Sequence, residues 1–458
     1  MQEENPDADG GRMSNGKGDM VLRVRGALFL LVALAAWFVV PMVWAQGSGV
    51  ATVKQQASQN KAAYSLPPER LQRAIEYSRK RTVLEFVFVG WGILQLAGLL
   101  SFGLAAKMRD GAVKLSGNRW AQGYAFVFLL LLVTSLLNLP LQIYGHHLAV
   151  EYGQSVQHWG SWLGDHAKSF GLTFVVAGLL VMLLFWVMRK SPTRWWFWFW
   201  IPAMASVVFG VFVAPIFIDP IFNKFEPLAQ SNPALVERLE TVVARGGITI
   251  PPERMFLMKA SAKYTGMNAY VTGFGASKRV VVWDTSIAKA SPDEISFIFG
   301  HEMGHYVLNH IYIGMAFTGV VMLVLFWLGY YGVQWLLGRY GMAWGIADQR
   351  DWAALVVLLL VISVFSFLSD PITNGFSRWM EHDADVYGQE AMHGIVDDPQ
   401  AVAQQSFQVL GEESLEDPSP NRLVEFWTFD HPSVGSRAAF AASYDPWAAG
   451  EQPKYFKR

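Results

Sequence analysis

Long apolar runs alternate with short polar or basic stretches along most of this chain. The runs cover about 26–44, 83–106, 124–144, 171–188, 195–218, 311–337 and 352–367. Most reach the roughly 20 residues that a helix needs to cross a bilayer. No charge falls in the middle of any of them, so none reads as an ion or proton pathway. The first run could be a cleavable signal peptide, since Ala45 follows it. Its length favours a retained first span. Residues 1–20 are polar, acidic and Gly-rich, and read as disordered.

The pattern changes over 219–310. Positions 235–244 alternate as an amphipathic helix closed by Gly246-Gly247. A short strand is predicted at 254–259. Positions 269–272 and 279–283 are β-rich around Gly273-Phe274-Gly275, which reads as a hairpin. A helix is predicted near 67–81, and another after Pro371. Residues 145–170 read as a polar loop with His146, His147, His158 and His166. Loop histidines are usually solvated, so this scatter reads as no second metal site. The tail to residue 458 is soluble in composition.

Composition agrees with the spans. Of 458 residues, 52% are hydrophobic and only 16% charged. Mean hydropathy is +0.25. The net charge of −1 gives no electrostatic case for nucleic-acid binding. There are no cysteines, which excludes disulfides and thiolate ligands. Nineteen tryptophans, four of them in the all-aromatic run 195–200, suit interfacial belts.

The chemistry centres on His301-Glu302-Met303-Gly304-His305, the pattern H-E-x-x-H. Histidines at i and i+4 share a helical face, and both can reach one tetrahedral Zn²⁺. Glu302 is then placed to act on water rather than on metal. Ser291, Pro292 and Glu294 form a capping sequence, which puts the motif about three turns into a helix. That helix leads almost directly into the run at 311–337, so the site lies at or near the membrane surface. A catalytic zinc takes a third protein ligand. The candidates lie in Glu381-His382-Asp383-Ala384-Asp385, where Glu381 and Asp385 share a face. A solvated acidic face is the plain alternative for that cluster.

The chain resembles the membrane-embedded CAAX prenyl proteases of the zinc metalloprotease type. These are gluzincins related to bacterial membrane heat-shock proteases. The resemblance rests on five spans before the catalytic part and on Phe222-Asn223-Lys224-Phe225-Glu226-Pro227-Leu228. It continues through Asn268-Ala269-Tyr270, Gly273-Phe274-Gly275, Ser277-Lys278-Arg279 and Asp284-Thr285. It is strongest from Asp293-Glu294-Ile295 into the zinc motif. It ends on Glu381 to Asp385 and on His431-Pro432 to Arg437. It implies that Glu381 is the third ligand and that Asp385 supports the site. It also implies that Asn268, with Ala269 and Tyr270, holds substrate backbone, and that His431 and Arg437 stabilise the oxyanion. His382-Asp383 departs from the family's usual Phe-Gln. His382 is therefore a rival ligand, although a neighbouring helical position points about 100° away.

These readings give a predominantly α, polytopic membrane protein with about seven transmembrane helices. A gluzincin-like zinc protease domain with a small β-hairpin or sheet completes it. The expected division is 1–22 disordered, 23–218 a five-span membrane domain, and 219–458 the protease domain with two further spans. One Zn²⁺ per chain is expected. Glu302 would take a proton from water and later deliver it to the leaving amine. An extended substrate would pair with the edge of the 269–283 hairpin. The expected partners are the bilayer and a peptide or protein substrate, lipidated or membrane-associated, with no nucleic acid. Two substrate classes stand open: C-terminal tails of lipidated proteins, and damaged membrane proteins. A non-catalytic binder or transporter on a degenerate protease fold would show a broken motif, and the motif is intact. The location is a multi-pass membrane protein, in the inner or plasma membrane of a bacterium or an endoplasmic-reticulum-type membrane of a eukaryote. Orientation is split. The loops after the second and fourth spans carry about seven Lys/Arg against one after the third, which puts the zinc domain outside. The resemblance implies a cytoplasmic catalytic part.

Overall fold

The computed structural model describes residues 63–273 and 278–456. The run at 26–44, the disorder expected at the N-terminus and the Phe274–Ser277 part of the hairpin turn lie outside them. Six helices among the described residues are long and apolar enough to cross a membrane. They are α1 (Pro68–Ser101), α3 (Arg119–Glu151), α4 (Trp159–Lys190), α5 (Trp195–Phe212), α8 (His310–Trp344) and α9 (Ala354–Met392). With 26–44 outside the described residues, they account for the other six expected spans.

Several boundaries differ from the sequence expectation, most of them toward longer helices. The helix near 67–81 and the second run form one element, α1, because no breaker separates them. It ends at Ser101 rather than at 106. Gly103, at φ 67°, then turns the chain into α2 (Leu104–Leu115). The loop expected at 145–170 is mostly helix. His146 and His147 belong to the last turns of α3, and His166 to α4. The fifth span stops at Phe212. The seventh does not stop before Pro371 but runs through it as one 39-residue helix. Proline removes one backbone donor, and the helix nevertheless continues through the buried Pro371.

The smaller part is built on a four-stranded sheet of order β1-β2-β4-β3. Its strands are β1 (Phe225–Pro227), β2 (Met255–Met258), β3 (Ala269–Thr272) and β4 (Arg279–Trp283). β3 pairs with β4 in antiparallel register, Ala269 opposite Val282, and its other edge has no strand partner among the described residues. α7 (Pro292–Val307) packs on β3; α6 (Pro233–Arg245) and α10 (Pro399–Ser414) pack on α7, α12 (Val434–Ser443) on α10, and α11 (Arg422–Thr428) on α9.

Two separate cores hold the molecule. One joins Leu239, Met255, Val280, Phe299 and Met303 to Tyr64 and Tyr77 at the start of α1 and Leu148 at the end of α3. The other gathers Leu100, Phe126, Phe185, Trp195 and Trp352 at the opposite ends of the same spans. The catalytic part is therefore packed directly onto one end of the membrane bundle.

Candidate metal centre and active site

The zinc-motif helix α7 starts where its sequence says it should. Ser291 Oγ accepts from the Glu294 backbone N–H at 3.3 Å, and Glu294 accepts from the Ser291 N–H at 2.8 Å. The helix then crosses α9 at close range. A Cβ on Gly388 would lie 2.9 Å from the His301 backbone nitrogen, and one on Gly304 would lie 3.2 Å from Ala384 Cα. Small residues on both helices permit this approach. It places Glu381 directly against the two histidines.

Three donors converge there. His301 Nε2 and His305 Nε2 are 3.2 Å apart, and each is 3.2 Å from a Glu381 carboxylate oxygen. His301, His305 and Glu381 are the one group of three such side chains, among the described residues, close enough to hold a single ion. Glu381 Oε2 is buried with no hydrogen bond. A buried carboxylate oxygen without a donor is costly unless a cation meets it. The residues therefore fit a metal, and His2Glu is a donor set seen in catalytic zinc sites.

The flanking contacts are as specific. His301 Nδ1 meets Asp385 Oδ1 at 2.8 Å. Arg437 grips the same carboxylate with two donors, Nε to Oδ2 at 2.9 Å and Nη2 to Oδ1 at 2.6 Å. Arg437 is itself held over the Phe407 ring at 4.5 Å. Its Nη2 lies 3.9 Å from Glu381. His431 sits at the open side, half exposed, with Nε2 3.3 Å from Glu381 Oε2 and Nδ1 2.8 Å from Asp430. Burial opposes charge on His301, but Asp385 and Glu381 outweigh it and raise its pKa to about 9. Burial raises the Glu302 carboxyl above its ordinary value.

A cavity of about 300 Å³ opens on this group. Asn268, His301, Glu302, His431 and Arg437 all line it, with Tyr77 and Arg81 from α1. Ala269 and Tyr270 do not. Ala269 is buried, and the Tyr270 hydroxyl donates to Asp219 at 3.4 Å. His382 is turned away on the exposed face of α9, against the Phe440 ring at 4.7 Å. Asp383 pairs with Lys454 at 2.7 Å. Sequence reasoning missed His310. It is buried at the first turn of α8, and its Nδ1 lies 3.1 Å from His305 Nδ1. The signal was available, since His310 is five residues past His305, but a helix break at Asn309 (φ 58°) had to be known to bring it back.

Membrane-spanning helices, a capped H-E-x-x-H helix and a glutamate delivered from a second helix define an integral-membrane metalloendopeptidase. The comparisons agree. Residues 50–224 match the family model described as CAAX prenyl protease N-terminal, five membrane helices, and residues 229–445 match that of peptidase family M48. The chain is 33% identical over 390 residues to the uncharacterized metalloprotease YhfN of Bacillus subtilis (strain 168), covering 84% of this chain and 88% of that one. It is 24% identical over 379 residues to the CAAX prenyl protease 1 homolog of Oryza sativa subsp. japonica, covering 81% and 86%. The crystal structure of S. mikatae Ste24p shares its fold with a TM-score of 0.76 at 21% identity, over 93% of this chain and 99% of that chain. The chain belongs to peptidase family M48.

Proposed function

We propose that the metal is zinc, one per chain, held by His301, His305 and Glu381. The observation that carries this is the convergence of those three donors, with His301 and the neighbouring Glu302 lining one cavity. When bound, zinc supplies Lewis acidity. Glu302 removes a proton from the attacking water and returns it to the leaving amine. Its raised pKa suits both halves of that transfer. Asp385 holds His301 through Nδ1, and Arg437 holds Asp385. His310 orients His305 through the same ring atom, so each histidine ligand is steadied from behind. His431, half exposed at the open side, donates to the developing oxyanion, and the nearby Arg437 charge adds to that field.

The substrate is an extended peptide. Asn268 precedes the unpaired edge of β3 and faces the cavity, so a peptide strand added beside Ala269 and Tyr270 would run past Glu302. Recognition there uses backbone groups, which fits a buried Ala269 and an occupied Tyr270 side chain. Residues 23–218 form the membrane domain and 219–458 the protease domain. The two family matches, which meet between residues 224 and 229, support this division.

The substrate class is a lipidated, CAAX-like C-terminal tail. The names of the relatives support it, and so does a second cavity of about 810 Å³. Leu131, Leu132, Leu136, Leu139 and Phe170 give that cavity an apolar wall, and Tyr77 borders both cavities. The rival is a membrane-protein quality-control substrate. Detergent-purified protein should be offered a farnesylated CAAX peptide and an unlipidated membrane-protein fragment. Cleavage abolished by chelator and by Glu302→Gln supports the endopeptidase, and preference for the farnesylated peptide supports this substrate class. Preference for the fragment would favour the rival.

A further inference from the structure

The end of the bundle opposite the metal centre has a charge problem of its own. Its loops and span ends carry Lys107, Arg109, Lys114, Arg119, Arg189, Lys190, Arg194, Arg339 and Arg350, against Asp110, Asp348 and Asp351. All three carboxylates are taken. Arg109 bonds both Asp110 and Asp351, and Arg350 bonds Asp348 at 2.7 Å.

Arg119 and Arg189 are left without a carboxylate among the described residues, yet they converge. Each guanidinium carbon lies 5.9 Å from the centre of the Trp352 ring. Their like charges repel. Arg189 Nη1 is buried and has no hydrogen-bond partner. Trp352 is 4% exposed and cannot move aside. Two guanidinium groups near one ring, one with an orphaned N–H, call for an anion with several acceptor oxygens. The location specifies its source. Arg119 opens α3, Arg189 closes α4, and Trp352 precedes α9, so three span ends meet here. Trp120 and Trp198, both about half exposed, belong to the same end and suit the headgroup layer.

We infer that Arg119 and Arg189 hold the phosphate of an anionic phospholipid over Trp352. The phosphodiester offers oxygens to both guanidiniums, and the acyl chains lie along the apolar flanks of α3 and α4. The site is structural and lies at the far end from the chemistry.

Native mass spectrometry of the full-length protein, titrated with phosphatidylglycerol or phosphatidylcholine, tests this. Two charges near a membrane surface correspond to about a thirtyfold change in affinity. The double variant Arg119→Gln/Arg189→Gln should lose phosphatidylglycerol to about that extent. Arg119→Gln alone, at an exposed position, should lose about fivefold. Lys107→Gln/Lys114→Gln should bind as the parent does, and phosphatidylcholine should be unaffected throughout. Parental phosphatidylglycerol binding by both Arg119 variants overturns the proposal. So does an equal loss in the lysine control. Displacement of the lipid by millimolar inorganic phosphate would show that a free anion, not a lipid, is the ligand.

Discussion

The two ends of the membrane bundle handle charge in opposite ways. At the catalytic end several buried or part-buried charges have an opposite charge close by. Arg437 forks onto Asp385, Lys263 meets Asp165 at 2.5 Å, and Arg279 lies 3.6 Å from Asp219. In the metal group Glu381 keeps a carboxylate oxygen without a hydrogen bond. At the far end the cations outnumber the carboxylates, and Arg119 and Arg189 have no carboxylate partner among the described residues. An orphaned buried acceptor marks where a cation belongs, and an orphaned buried donor marks where an anion belongs. The same rule, applied to opposite signs, assigns chemistry to one end and lipid anchorage to the other.

Substitutions at each end should therefore separate cleanly. The largest effect belongs to Glu302→Gln, which should lower kcat by about 10²–10⁴ while metal stays bound. Measuring turnover and metal content on one preparation checks both halves. Asp385→Asn comes next. It weakens the grip on His301 and strands the Arg437 charge, so metal affinity should fall by about 10–100-fold. Competition with a calibrated chelator reads that directly. His310→Ala should fall at the lower edge of the same range, about tenfold, because His305 keeps its place on α7 but loses its ring partner. An Asn at position 310 can still offer a hydrogen bond and should recover part of the loss, which a merely structural defect would not. The smallest effect belongs to Arg119→Gln/Arg189→Gln. Peptide cleavage should change by less than about twofold, since surface substitutions away from a site rarely propagate. A large loss of turnover there would join the two ends and break the comparison.

Much of this was legible in the sequence. The H-E-x-x-H spacing and the Ser291-Pro292-Glu294 cap act locally, so α7 and its two histidines could be placed without tertiary information. Apolar run length likewise located the spans. What could not be read was continuity. Pro371 signals a helix end, yet α9 runs through it at the cost of one backbone donor. The choice of Glu381 over His382 also needed tertiary facts. Gly304 and Gly388 set the crossing of α7 and α9, and that crossing decides which face of α9 meets the metal group. The Arg119–Arg189 pair was hidden for the same reason: the two residues are far apart in sequence and meet only across Trp352.

The central claim is the ligand set, and zinc content measured side by side in the parent, Glu381→Gln and His382→Ala tests it most directly. The account predicts one zinc per chain in the parent and in His382→Ala, with zinc lost from Glu381→Gln at the same chelator concentration. Zinc retained by Glu381→Gln and lost from His382→Ala would contradict it and move the third ligand to the neighbouring face of α9.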